Sequence, residues 1–74
     1  MNEKRDLYFQ NSKGEYRRLL TNVTEDEACE EMKKFMDEHN FTSYYTRSWE
    51  VNGITTYDVG SWTEFFLWSS KELK

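Results

Sequence analysis

The chain has 74 residues and a net charge of −4, with 36% hydrophobic and 18% aromatic residues. One domain over residues 1–74 is therefore expected, near the lower size limit at which a hydrophobic core stabilises a fold without disulfides or metal ions. Because Cys29 is the only cysteine and His39 the only histidine, an intrachain disulfide and a zinc site of cysteine and histidine ligands are excluded.

The N-terminal stretch MNEKRDLYFQ lacks the apolar core of a signal peptide, and no stretch approaches the roughly 20 apolar residues of a membrane-spanning helix. A soluble cytoplasmic protein without a membrane partner is therefore expected. The letters LYFQNS also resemble part of a protease-cleavage tag. Since Arg5 stands where such a tag has Glu, and patterned sequence follows at once, we interpret the stretch as native.

The first predicted element is a β-hairpin over about residues 6–21. Asn11 can begin a type I turn, and Gly14 can take the left-handed conformation that closes a short loop. The opposite pairs in this register are Phe9 with Arg17 and Leu7 with Leu19. The predicted core face holds Leu7, Phe9 and Leu19, and the other face holds Tyr8, Tyr16 and Leu20.

The second predicted element is a helix over about residues 24–40. Thr24 and Glu27 have the spacing of a capping box at its start, and Asn40 ends it. At the helical period an apolar arc of about 120° is expected to pack on one face of a sheet. This arc consists of Ala28, Cys29, Met32, Phe35, Met36 and His39.

The third predicted element is a hairpin over about residues 43–69, built around Asn52-Gly53, a strong short hairpin signal. Gly60 interrupts its last strand. A two-residue turn makes opposite pairs of Arg47 with Asp58 and Trp49 with Thr56. The run after Gly60 places Phe65 and Leu67 on one face, and Trp62, Glu64, Phe66 and Trp68 on the other.

The predicted fold is α+β with the order ββαββ: a four-stranded, mainly antiparallel sheet with one helix packed on one face. Since the helix covers one face, two outcomes are open for aromatic side chains on the other. They form an exposed contact surface, or sheet curvature and the terminal segments bury them. The side chains concerned are Tyr44, Tyr57, Trp62, Phe66 and Trp68.

The predicted helix is strongly acidic, since residues 24–40 hold seven acidic residues and two lysines and carry 2 − 7 = −5. Helical periodicity places an acidic ridge on its outer face, with Lys34 among the carboxylates. The ridge consists of Glu27, Glu30, Glu31, Asp37 and Glu38. A solvated face and a recognition surface for a basic groove on another protein both explain it. Direct binding to nucleic acid is not expected, because the acidic charge repels phosphate.

No residue pattern predicts catalysis, a cofactor or a metal site. His39 and Cys29 lie in the apolar arc, where packing is the expected role, and no nucleophile signature accompanies them. Asp58 and Glu64 flank Gly60, but a catalytic carboxylate pair needs a cleft for which this small fold has little volume. The chain is therefore not expected to be an enzyme.

The stretch NFTSYYTRSWEVNGITTYDVGSWTEFF resembles a group of small uncharacterised proteins from phages and prophages of Gram-positive bacteria. The resemblance covers residues 24–68. Trp62 departs from the group, in which this position is commonly histidine. The group has no settled activity, so the resemblance implies an origin and a bacterial cytoplasm, and no mechanism.

These observations predict a small acidic accessory protein that binds a host or phage protein, as an inhibitor or modulator of a defence or nucleic-acid-processing protein. The predicted partner-binding residues are Glu27, Glu30, Glu31, Asp37, Glu38, Trp62, Phe66 and Trp68. The alternative is a self-associating structural or virion-associated protein, whose aromatic sheet faces pack across a homodimer.

Overall fold

The structure is a computed structural model and describes residues 3–38, 47–58 and 64–73. Across these residues the chain forms one helix and five strands. The strands are β1 (Arg5–Gln10), β2 (Tyr16–Val23), β3 (Arg47–Val51), β4 (Ile54–Asp58) and β5 (Phe65–Ser69), and the helix is α1 (Glu25–Glu38). Neighbouring strands are antiparallel, in the order β2-β1-β5-β4-β3.

The α+β class and a helix on an antiparallel sheet are confirmed, but the prediction of four strands is wrong. The predicted last strand is two strands, β4 and β5, which pair with each other. β5 also pairs with β1, so it lies at the centre of the sheet and joins the two hairpins. Because β5 pairs with β4 on one side and with β1 on the other, its backbone N–H and C=O groups have partners on both sides. One continuous strand would not achieve this. His39, Gly60 and Trp62 lie outside the described residues.

Both predicted turns are confirmed. The side-chain oxygen of Asn11 accepts hydrogen bonds from two backbone N–H groups of the first loop, at 2.9 and 3.0 Å, and Gly14 has a φ of 81°. In the second hairpin Asn52 and Gly53 have φ values of 52° and 80°, as a type I′ turn requires. The predicted pairs Arg47 with Asp58 and Trp49 with Thr56 are also confirmed.

The register of the first hairpin is confirmed near its turn and shifts beyond it. Phe9 lies opposite Arg17 as predicted, but Leu7 lies opposite Leu20 instead of Leu19. Irregularities in the pairing on both sides of Leu7 cause the shift. As a result Leu19 and Leu20 both pack, partly buried, against the core.

The core lies between α1 and the sheet face that it covers, and three phenylalanine rings form its centre. The Phe35 ring of α1 lies 4.7 Å from that of Phe9 and 5.4 Å from that of Phe66, and the latter two lie 5.3 Å apart, between centroids. The helix also buries Ala28, Met32 and Met36, which confirms the apolar arc at four positions with Phe35. With 14 residues and many charges, α1 is too short and too polar to cross a membrane.

Phe66 and Trp68 lie on the helix side of β5, so the prediction that they face away from the helix is wrong. Phe66 is 0% exposed and Trp68 is 6% exposed. The pairing of β5 with β1 decides this, since Phe66 lies opposite Phe9 and Trp68 opposite Leu7. Directly opposite residues of antiparallel strands share a face. Tyr57 of β4 lies opposite Phe66 and is buried for the same reason.

The sheet face away from α1 is partly covered. Tyr8 is buried, and the Arg18 guanidinium lies 5.5 Å from the centroid of its ring and donates to its hydroxyl at 3.2 Å. Leu67, opposite Tyr8 on β5, is also buried. On the edge strand β3, in contrast, Trp49 and Val51 are 45% and 59% exposed. Among the described residues, large exposed apolar side chains therefore lie at one edge of the sheet.

Candidate interaction surfaces

α1 presents the acidic ridge on its solvent side. Glu27, Glu30, Asp37 and Glu38 are exposed, and Glu31 is half-buried. Salt bridges between described residues connect strands and their flanking segments, and none of them includes an acidic residue of α1. Described basic side chains therefore leave the ridge without an ion-pair partner.

The first turn of α1 holds Glu27 in the predicted capping box. The Thr24 backbone N–H donates to the Glu27 carboxylate at 2.9 Å, and the Glu27 backbone N–H donates to Thr24 Oγ1 at 3.3 Å. The bond from the Thr24 backbone is the main cause that lowers the pKa of Glu27 below its usual range. Glu27 therefore stays charged, but its carboxylate stabilises the helix end and is less available to a partner.

The predicted aromatic contact surface does not form on β5, because Phe66 and Trp68 are buried in the core. The exposed apolar side chains lie instead on β3, where Trp49 makes an edge-on contact with the half-buried Phe65 at 6.4 Å between ring centroids. Beside it, Val51 is exposed. Sequence reasoning missed this patch because no local pattern shows that β3 is an edge strand of the sheet.

Arg5 is a buried cation at the start of β1, and sequence reasoning missed its role too. Its side chain is 5% exposed, and its guanidinium lies 4.4 Å from the centroid of the Trp68 ring. It donates to the Glu3 carboxylate at 2.6 Å and to Thr55 Oγ1 at 3.1 Å, and forms an ion pair with Glu50 at 3.2 Å. One guanidinium therefore joins the N-terminal segment to three strands that are distant in sequence.

Glu50 links this cluster to the pH dependence of stability. The hydroxyl of Thr55 donates to its carboxylate at 2.9 Å, and this bond, followed by those from Arg5, lowers the pKa of Glu50. A carboxylate whose pKa is lower in the folded state stabilises the fold fully above about pH 4.3, the ordinary value for glutamate. This contribution is lost as the pH falls through the lowered pKa.

We therefore expect the Tm to fall between about pH 5 and about pH 3, and to fall less in the Glu50→Gln variant, which has no carboxylate to protonate at this position. Thermal unfolding followed by circular dichroism at several pH values measures both. An equal fall in the variant and in the unmodified protein would show that Glu50 does not contribute.

Of the residues considered for catalysis, Cys29, Asp58 and Glu64 lie among the described residues, and His39 does not. Asp58 pairs with Arg47 at 3.0 Å, as predicted. Cys29 is exposed, which corrects the expectation that it is buried, because it lies at the edge of the apolar arc. Partial burial of its sulfur, then the nearby Glu25 and Asp26, raise the pKa of the thiol and disfavour the reactive thiolate. Among the described residues, no group of three or more metal-ligating side chains is found.

Comparisons with protein-family models, with curated proteins and with solved structures found no match to this chain. Its surfaces are therefore the guide to its function.

Proposed function

We propose that this protein is a small acidic accessory protein of phage or prophage origin that binds another protein in the cytoplasm of a bacterial host. The partner is a host protein of defence or nucleic-acid processing, and binding inhibits or modulates it. The observation that carries the proposal is the acidic ridge, a row of carboxylates that are exposed except for the half-buried Glu31 and have no ion-pair partner among the described residues. The origin rests on the sequence resemblance alone.

The acidic ridge favours a partner with a basic surface. Carboxylates along one helix face complement Lys and Arg side chains across an interface, which speeds association and selects the partner. A groove that binds nucleic acid offers such basic groups, since it must neutralise phosphates. The ridge can therefore occupy a groove of this kind, while its charge opposes nucleic acid as a direct partner of this chain.

The double variant Glu30→Lys, Glu38→Lys reverses two charges of the acidic ridge. It is expected to reduce capture of the partner from nuclease-treated host lysate by roughly tenfold. Each lost ion pair costs about 0.2–1 kcal/mol, and each new like-charge contact adds to the loss. Both residues are exposed and lie outside the capping box, so the helix should remain folded. Capture is quantified by mass spectrometry at low and at high salt.

The matched control carries the substitutions Glu15→Lys and Glu72→Lys, which change the net charge by the same amount. Both residues are exposed and lie outside α1. Capture by this control should stay near that of the unmodified protein. Equal capture by the ridge variant would remove the ridge from the interface. If nothing is captured and light scattering gives the mass of an oligomer, the alternative function is favoured, with self-association through Trp49 and Val51 on the edge strand β3.

A further inference from the structure

A groove runs along one flank of α1, between the helix and the β3–β4 hairpin. Its wider part, of about 580 Å³, lies at the start of the helix, and a narrower part of about 310 Å³ continues along the helix. Glu25 and Ser48 line both parts, so the two parts adjoin at these residues. Measured around the helix axis from Ala28, most α1 residues that line the groove lie at about 40–160° and the ridge residues at about 180–300°, so the two surfaces are adjacent but separate.

The narrower part is mainly apolar. Cys29, Met32 and Met36 line it from the helix, and Tyr57 lines it from β4. Methionine and cysteine side chains are soft and adapt to the shape of an apolar guest. A volume of about 310 Å³ is at the low end for a small-molecule site and suits an aliphatic side chain of a larger partner.

The wider part is acidic. Glu3, Glu25, Asp26 and Glu50 line it together with Arg5, so these residues carry 1 − 4 = −3. The positive charge of Arg5 is engaged within the fold, because Glu3 and Glu50 both pair with it. The Tyr57 hydroxyl donates to the Glu25 carboxylate at 2.6 Å and holds it where the two parts meet. A cation entering the wider part would therefore meet a net negative charge a short distance from the apolar part.

We propose that this groove binds an extended segment of a partner protein that carries an aliphatic side chain next to a lysine or arginine. Charge complementarity selects this occupant, since the aliphatic group fills the apolar part while the cation lies among the carboxylates of the wider part. Lys33 lines the apolar part and disfavours a cation there. This sets the direction in which the segment lies along the groove, with its lysine or arginine in the wider part. The inference rests on the proposed protein-binding function, and adds to the acidic ridge a second and more specific contact.

The experiment uses the full chain and two blocked tetrapeptides, acetyl-Gly-Leu-Arg-Gly-amide and acetyl-Gly-Leu-Glu-Gly-amide, in an NMR titration to about 10 mM, ten times a Kd of 1 mM. With the arginine peptide we expect chemical-shift changes at the backbone N–H groups of Glu25, Cys29 and Ser48. Its Kd should be about two- to fivefold lower than that of the glutamate peptide, the ratio that one exposed ion pair gives. The alkylation rate of the exposed Cys29 by iodoacetamide should also fall when the arginine peptide is bound.

The Cys29→Lys variant places a cation in the apolar part of the groove and is expected to weaken binding of the arginine peptide by a similar factor. Equal binding of the two peptides, shifts outside the groove, or no shifts at the highest concentration would each overturn the proposal. The ridge variant Glu30→Lys, Glu38→Lys should bind the arginine peptide normally. The experiment therefore distinguishes a failure of the groove proposal from a failure of the function proposed for the acidic ridge.

Discussion

The Phe66→Ala variant is expected to lose about 3–5 kcal/mol of unfolding free energy, the usual cost of deleting a buried phenylalanine ring. Phe66 is 0% exposed, and its ring lies within 5.4 Å of those of Phe9 and Phe35, between centroids. A domain of this length has a total stability of roughly 4–11 kcal/mol, at about 0.05–0.15 kcal/mol per residue. The single change therefore removes a large share of the stability, which urea unfolding followed by circular dichroism measures.

Val51→Ala is the matched control, because it also truncates an apolar strand residue but at a position that is 59% exposed. Its effect should stay within about 0.5 kcal/mol. A loss below about 1 kcal/mol for Phe66→Ala would place the ring in solvent, one of the two outcomes that the sequence pattern left open, and would restore Phe66 as a partner-binding residue.

The Arg5→Ala variant is expected to lose about 2–3 kcal/mol. A hydrogen bond to a charged group contributes about 1.5–3 kcal/mol, and a guanidinium on a tryptophan ring about 0.5–2 kcal/mol. These values do not add in full, because Glu3 and Glu50 are 57% and 55% exposed and solvent screens their ion pairs. The same urea unfolding experiment measures the loss.

Two further variants separate the causes. Arg5→Met keeps an unbranched stem against Trp68 and should recover about half of the loss, since packing of the arginine stem contributes without its charge. Arg47→Ala removes an ion pair to Asp58 at 3.0 Å from an arginine that is 76% exposed, and should cost less than about 1 kcal/mol. If Arg5→Ala and Arg47→Ala cost the same, burial and the contact with Trp68 do not strengthen the Arg5 cluster.

Local signals predicted the turns and the helix well because each depends on neighbours within a few residues. Asn11 and Gly14 form their loop through their own side-chain and backbone conformations. Asn52 and Gly53 form the second turn for the same reason. The acidic ridge was predictable too, since helical periodicity places its residues on one face whatever the sheet does.

The assignment of faces on β5 could not be predicted in this way. Residues 54–69 were expected to form one last strand, interrupted at Gly60, but they contain two strands. The face of every later residue depends on how these two strands pair. Because side chains alternate with a period of two, an error of one residue in register moves each of them to the opposite face. This is why Phe66 and Trp68 lie in the core.

The sequence by itself determined the hairpin turns, the capping box at the start of α1, the α+β class and the acidic ridge, all of which arise from contacts a few residues apart. The tertiary structure alone decided that β5 lies between β1 and β4, that Arg5 meets Trp68 and Glu50, and that β3 is an exposed edge. These features depend on pairing between strands 40 or more positions apart in the chain or on which strand lacks a second neighbour, and local periodicity carries no information about either.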